Sequence, residues 1–147
     1  MEKTAENIPR YGYLSTVSSY LMVDNIEEQL DFLGKIFQIE IMEELINRED
    51  NTIMHAEVLI GDSSIMMGKA TGEYPSHESM LYVLIEDVDE AYRLAMENGA
   101  ESLREPVDQL YGYREAGVKD PLGNQWWLAT QIEELSQEEI QKRMDQR

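Results

Sequence analysis

An α+β fold built of two strand-helix-three-strand modules is what this chain predicts, and three observations carry that expectation. Tyr20 to Leu33 lies over Tyr82 to Ala95 without a gap, at an offset of 62 residues. The same offset sets Gly61-Asp62 over Gly123-Asn124, and Ile65 to Met67 over Trp127 to Ala129. Each copy reads as a strand running into a capped amphipathic helix, followed by three further strand candidates. Two half-domains that repeat one plan usually share a pocket, so function is expected between them.

Thr16 to Val23 is rich in β-branched and aromatic residues and stops at Asp24-Asn25, as a strand feeding a helix does. Asn25 and Glu28 stand in capping-box spacing, and Asp87 and Glu90 repeat that box, each cap being worth about 1 kcal/mol. Ile26, Leu30, Leu33 and Phe37 form one apolar stripe, and Val88, Ala91, Tyr92, Ala95 and Met96 form another, so each helix lays one face on a sheet. Gly99 after Asn98 ends the second helix in a left-handed conformation that a side chain would penalise. Strands are expected over Ile39 to Asn47, Ile53 to Ile60 and Ser64 to Gly68, then over Glu101 to Arg104, Tyr113 to Lys119 and Gln125 to Gln131. Alternation puts Ala56, Val58 and Ile60 on one face, and His55, Glu57 and Leu59 on the other, toward a concavity. Gly68 to Ser79 links the modules, about 14–70 and 79–131. Leu110 to Gly117 reads as an irregular loop running into a strand, and Asp120 to Asn124 as a tight turn. Ser136 with Glu139 opens a terminal helix over 136–145.

At 147 residues and 42% apolar content, the chain is the size of one domain. A net charge of −18, from 30 acidic and 12 basic residues, opposes nucleic acid phosphates and anionic lipid, so neither nucleic acid nor a membrane is an expected partner. There is no cysteine, which removes disulfides, a thiolate nucleophile and Cys-type zinc sites. Met1 to Tyr13 holds no apolar run of signal-peptide length, and nowhere do about 18 apolar residues run together, so a cytoplasmic protein is expected. No nucleophile triad, phosphate-cradling glycine loop or dinucleotide fingerprint occurs.

Tyr20 to Asp24, Met54 to Glu57 with Ile60 to Ser63, Tyr82 to Val88, Tyr111 to Arg114, Asp120 to Asn124, Trp126 and the tail Ala129-Thr130 to Glu138 together resemble the glyoxalase/bleomycin-resistance/dioxygenase superfamily, also called the vicinal oxygen chelate fold, and within it the PhnB-like branch. The resemblance covers about Ser15 to Met144. It implies two βαβββ modules in a cup-shaped mixed sheet, usually stabilised by homodimerisation. It also implies where a metal would sit, because metal-dependent members carry His, Gln or Glu on the first and last strand of each module. The corresponding positions here are Ser18 and Ile65, then Met80 and Trp127. None is a normal ligand for a first-row divalent ion, so the usual centre is expected to be missing. Trp127 is expected to fill its space, with burial worth on the order of 4 to 6 kcal/mol.

Arg114 is the only cation between Arg104 and Lys119, and facing a pocket it would grip a carboxylate or phosphate in a bidentate fork. A salt bridge to an acidic neighbour is the competing reading. Tyr20, Tyr82, Tyr111, Tyr113, Met22, Met67 and Met80 offer aromatic and thioether surface, of which Tyr20, Tyr82 and Met67, with Trp127 and Tyr111, are expected to meet a ligand. His55 and Glu57 read either as a hydrogen-bonded pair at the rim or as two ligands of a displaced metal site that Glu115 would complete. His77 reads as a solvated loop residue. The leading expectation is a homodimeric protein that binds a small molecule, anionic where Arg114 grips it, with no cofactor and no metal at the usual centre. The alternatives are a metal-dependent lyase, isomerase or dioxygenase using the displaced site as a Lewis acid, and a non-catalytic acidic protein that meets a basic partner.

Overall fold

A computed structural model of the chain describes residues 12–147, and expectations for residues 1–11 lie outside the described residues. The elements run β1 (Ser19–Val23), α1 (Ile26–Ile36), β2 (Ile39–Ile46), β3 (Ile53–Ile60), β4 (Ser63–Lys69), β5 (Met80–Leu84), α2 (Val88–Glu97), β6 (Glu101–Asp108), β7 (Tyr113–Lys119), β8 (Gln125–Gln131) and α3 (Gln137–Asp145). Every predicted element is present. β6 runs four residues beyond its expected end and takes Pro106 with it, which an edge strand tolerates where its register is already interrupted, between Arg104 and Val107. The helix boxes at Asp87 and Ser136 form the expected bond, with Asp87 accepting from the Glu90 backbone N–H and Ser136 from that of Glu139, each at 3.1 Å.

Two four-stranded mixed sheets result, in the orders β1-β4-β3-β2 and β5-β8-β7-β6. In each, the first pair is parallel and the others antiparallel, the outcome of a βαβββ chain in which the helix returns the first strand beside the last. The first sheet belongs to one compact unit. Leu21, Val23, Ala56, Val58, Ile65 and Met67 are buried on one of its faces. The second unit holds the second sheet, α2, α3 and the Glu28–Phe37 stretch of α1. There α2 packs on β6, β7 and β8, with Val88, Ala91 and Ala95 in the same core as Ala116, Val118, Trp126 and Leu128. The Phe37 and Trp126 rings meet at 5.7 Å between centroids.

That core contains a polar knot. Asp120, 4% exposed, accepts at Oδ1 from the backbone N–H of Leu122 (2.8 Å) and Asn124 (3.0 Å), and at Oδ2 from Gln29 Nε2 (2.8 Å) and the Trp126 indole N–H (2.7 Å). Asn124 in turn donates to Gln29 Oε1 at 2.9 Å and accepts from the Ser79 N–H at 2.9 Å. The tight turn expected at Asp120 to Asn124 is therefore also a structural anchor for α1. No helix among the described residues is long and apolar enough to cross a membrane.

Candidate functional site

Strand alternation gives the second sheet a face opposite α2, on which Met80, Tyr82 and Leu84 of β5 are 71%, 53% and 66% exposed. One row of cross-strand neighbours traverses this face. Tyr82 pairs with Trp127, Trp127 with Gly117, and Gly117 with Arg104. A Cβ on Gly117 would lie 2.6 Å from the Trp127 ring, so the missing side chain is what lets the indole lie against β7. The Arg104 guanidinium stands over that ring, 6.0 Å from its centroid. A register shift between Ser102 and Arg104 precedes it, the kind of irregularity that re-aims an edge-strand side chain. Arg104 is exposed and makes no ion pair among the described residues.

Beside this row sits Glu115, a buried carboxylate opposite Ala129. It accepts from the Tyr82 hydroxyl at 2.5 Å and from the Tyr111 hydroxyl. A shallow depression of about 280 Å³ on this sheet is lined by Leu84, Ile85, Glu86, Tyr113, Ala129 and Gln131. Burial of the phenol, then the hydrogen bond to Glu115, pushes Tyr111 up to about 12, and the same causes in the same order raise Tyr82 as well. A proton held more tightly in the folded than the unfolded chain stabilises fully below the ordinary phenol value of about 10 and is lost as pH rises through the folded value. Denaturant titrations should accordingly show stability falling between pH 10 and about 12, with Tyr111→Phe flattening that fall. An identical fall in Tyr111→Phe would remove the phenol as its source.

The corresponding row of the first sheet is Tyr20, Met66, Glu57 and Glu43. Glu57 is 2% exposed and accepts from the Tyr13 hydroxyl. His55 Nε2 lies 3.3 Å from Glu57 Oε1, and His55 Nδ1 lies 3.3 Å from the Tyr20 hydroxyl. One ligating atom each from Glu43, His55 and Glu57 come within 4.8 Å of one another. Glu43 also follows a register shift, between Ile41 and Glu43 in β2. The sequence reading paired His55 with Glu57 but missed Glu43. No sequence signal marks it, because a register shift between Leu45 and Ile46, not the β2-β3 turn, sets Glu43 rather than Met42 opposite Glu57.

Other expected site residues fall elsewhere. Arg114 lies on the α2 side of β7, bonded to Asp89 (Nη2 to Oδ1, 3.0 Å) and Asp108 (2.9 Å), and those bonds hold its guanidinium charged. This is the salt bridge that competed with the anion grip. Met67 is a correction: it is fully buried beside Leu21, because β4 turns Met66, not Met67, to the open face. Ile65 is another, since it pairs with Ser19 in the buried layer and the counterpart of Trp127 is Met66. The 62-residue offset holds for Tyr20 and Tyr82, but becomes 61 at Met66 and Trp127 and 60 at Glu57 and Gly117. Full burial falls to Trp126, whereas Trp127 is only partly covered. Glu115 is taken up by two phenols of its own unit. Ser18 lies 2.6 Å, hydroxyl to hydroxyl, from Ser64. With Met66 replacing Ile65, the positions implied for a metal carry a hydroxyl, two thioethers and an indole, a donor set that does not fit a divalent ion.

Known proteins agree with this architecture. A family model described as Glyoxalase/Bleomycin resistance protein/Dioxygenase superfamily matches residues 12–128. An uncharacterised protein of Mycobacterium bovis is 27% identical over 140 residues, which cover 87% of this chain and 91% of that one. Among solved structures, a Bacillus cereus protein titled a putative 3-demethylubiquinone-9 3-methyltransferase, PhnB protein, superposes with a TM-score of 0.67 at 19% identity, over 79% of this chain and 99% of its own. TioX from Micromonospora does so at 0.66 and 20%, over 80% and 99%. A superfamily member from Sphaerobacter thermophilus gives 0.60 and 22%, over 80% and 98%. The duplicated βαβββ plan and the match across residues 12–128 establish that the chain belongs to the Glyoxalase/Bleomycin resistance protein/Dioxygenase superfamily.

Proposed function

We propose that the chain is a binding protein for a small anionic molecule with a flat apolar body, held on the Tyr82-Trp127-Gly117-Arg104 row without a metal at the superfamily's customary positions. The observation that carries this is Arg104, an exposed guanidinium over an indole that makes no ion pair among the described residues, in a chain of net charge −18. Other arginines of this acidic chain are held by carboxylates, as Arg93, Arg114 and Arg143 are. Arg104 replaces Arg114 as the anion anchor. The indole supplies a stacking surface, Gly117 supplies depth, and Met80 and Leu84 supply apolar walls that adapt to shape.

Isothermal titration with phenylphosphonate and benzoate tests this. Both probes are expected to bind the wild type, and Arg104→Gln is expected to weaken them roughly tenfold to a hundredfold, as loss of a charged hydrogen bond of about 1.5–3 kcal/mol requires. Arg114→Gln should leave the affinity unchanged. Equal binding by wild type and Arg104→Gln, or no binding of either probe to the wild type, would end the proposal.

A further inference from the structure

We infer that Glu43, His55 and Glu57 form a divalent-cation site on the first sheet, for a first-row ion of the Zn2+, Co2+ or Mn2+ class. The inference does not depend on the anion reading, because every group it uses lies in the first unit. His55 and Glu57 are two residues apart on β3 and share a face, while Glu43 on β2 stands directly opposite Glu57. One imidazole and two carboxylates are a donor set that such ions accept, and three protein ligands leave a coordination position open to water or substrate. Their ligating atoms already lie within 4.8 Å of one another. An ion about 2.1 Å from each donor in a tetrahedral arrangement holds them about 3.4 Å apart, so the side chains close by up to about 1.4 Å, within the reach of rotamer adjustment.

Two features outside the triad favour this use. The Tyr20 hydroxyl engages Nδ1 of His55, which leaves Nε2 as the nitrogen directed at Glu57. With an ion bound, the imidazole proton resides on Nδ1 and is donated to the Tyr20 oxygen, while the Nε2 lone pair faces the ion, the arrangement by which a neighbouring polar group orients a ligating histidine. Gly68 makes room for this. A Cβ there would lie 2.8 Å from the Tyr20 hydroxyl oxygen, so a side chain at Gly68 would push the phenol away from His55. In addition, the Tyr13 hydroxyl fixes the buried Glu57 carboxylate, and the register shift before Glu43 breaks the regular run of β2 at the one residue that completes the set.

The test uses the full chain, stripped with chelator, dialysed against Zn2+, Co2+ or Mn2+ and analysed for metal content, with the Co2+ absorption spectrum as a report on coordination. One ion per chain is expected, accompanied by a rise in Tm. His55→Gln and Glu43→Gln should each lose about tenfold or more in affinity, and Glu57→Gln should lose more. Glu44→Gln, on the neighbouring residue of β2, should bind as the wild type does. If Glu57→Gln fails to fold, the His55 and Glu43 variants still decide. Metal content far below one ion per chain, or undiminished binding in both of those variants, overturns the site.

Discussion

Asp120→Ala is expected to lose about 4 kcal/mol of folding stability, because four donors that meet on one carboxylate are left with nothing to bond. Two of them, the Gln29 amide and the Trp126 indole N–H, belong to fully buried side chains, so water cannot easily replace the lost acceptor. A buried polar donor without a partner costs about 1–3 kcal/mol, and the turn that Asp120 closes through Leu122 and Asn124 loosens as well. Against a typical total of about 5–15 kcal/mol, this is a large share. Thermal denaturation should show Tm falling on the order of 10 °C for a domain of this size. Asp120→Asn should fall less, since it keeps the shape but turns an amide donor against other donors. A change in Asp120→Ala no larger than in an ordinary surface substitution would mean that the knot does not hold α1 in place.

Gly112→Ala is expected to cost about 3 kcal/mol, from backbone strain and a clash together. Gly112 has φ of 93°, and a Cβ there would lie 2.6 Å from the Glu133 carbonyl oxygen, a backbone atom that cannot rotate away. Its own carbonyl accepts from the N–H groups of Ile132 (2.9 Å) and Glu133 (3.1 Å), so any shift spreads into the segment after β8. Gly61→Ala separates the two contributions, because φ there is 59° with nothing within 4 Å of the added carbon. It should cost only about 1–2 kcal/mol, the strain alone. Equal losses from the two substitutions in urea titrations would show that the loop yields around Gly112. A displaced Gly112 should also carry Tyr111 off Glu115 and weaken the alkaline dependence of stability.

Strand and helix positions were legible because each rests on local chemistry: β-branched runs, apolar stripes and polar caps at fixed spacing. The duplication was legible for the same reason, since Tyr20 and Tyr82 precede equivalent helix starts. What the linear pattern could not supply was registry between strands. A drift of one or two residues in the repeat leaves a sequence match almost untouched, yet one residue turns a side chain to the other face. That is why Ile65 and Met67 stood where Met66 belongs, and why the row partners Glu43 and Arg104, on edge strands past a register shift, went unremarked. Arg114 was found as a cation, but Asp89 lies 25 residues away on α2, and only the packed helix brings it to the guanidinium.

The two sheets use one row for opposite charges. Tyr20, Met66, Glu57 and Glu43 gather carboxylates, whereas Tyr82, Trp127, Gly117 and Arg104 present a lone guanidinium over an indole. The most direct measurement is a nitrogen-15 NMR titration with phenylphosphonate that follows the two tryptophan indole signals and the arginine side chains. Ligand on the second row predicts that Trp127 and Arg104 shift together and saturably while the buried Trp126 indole, tied to Asp120, stays still. Shifts centred on Trp126 or on α3, or none at Trp127, would contradict it.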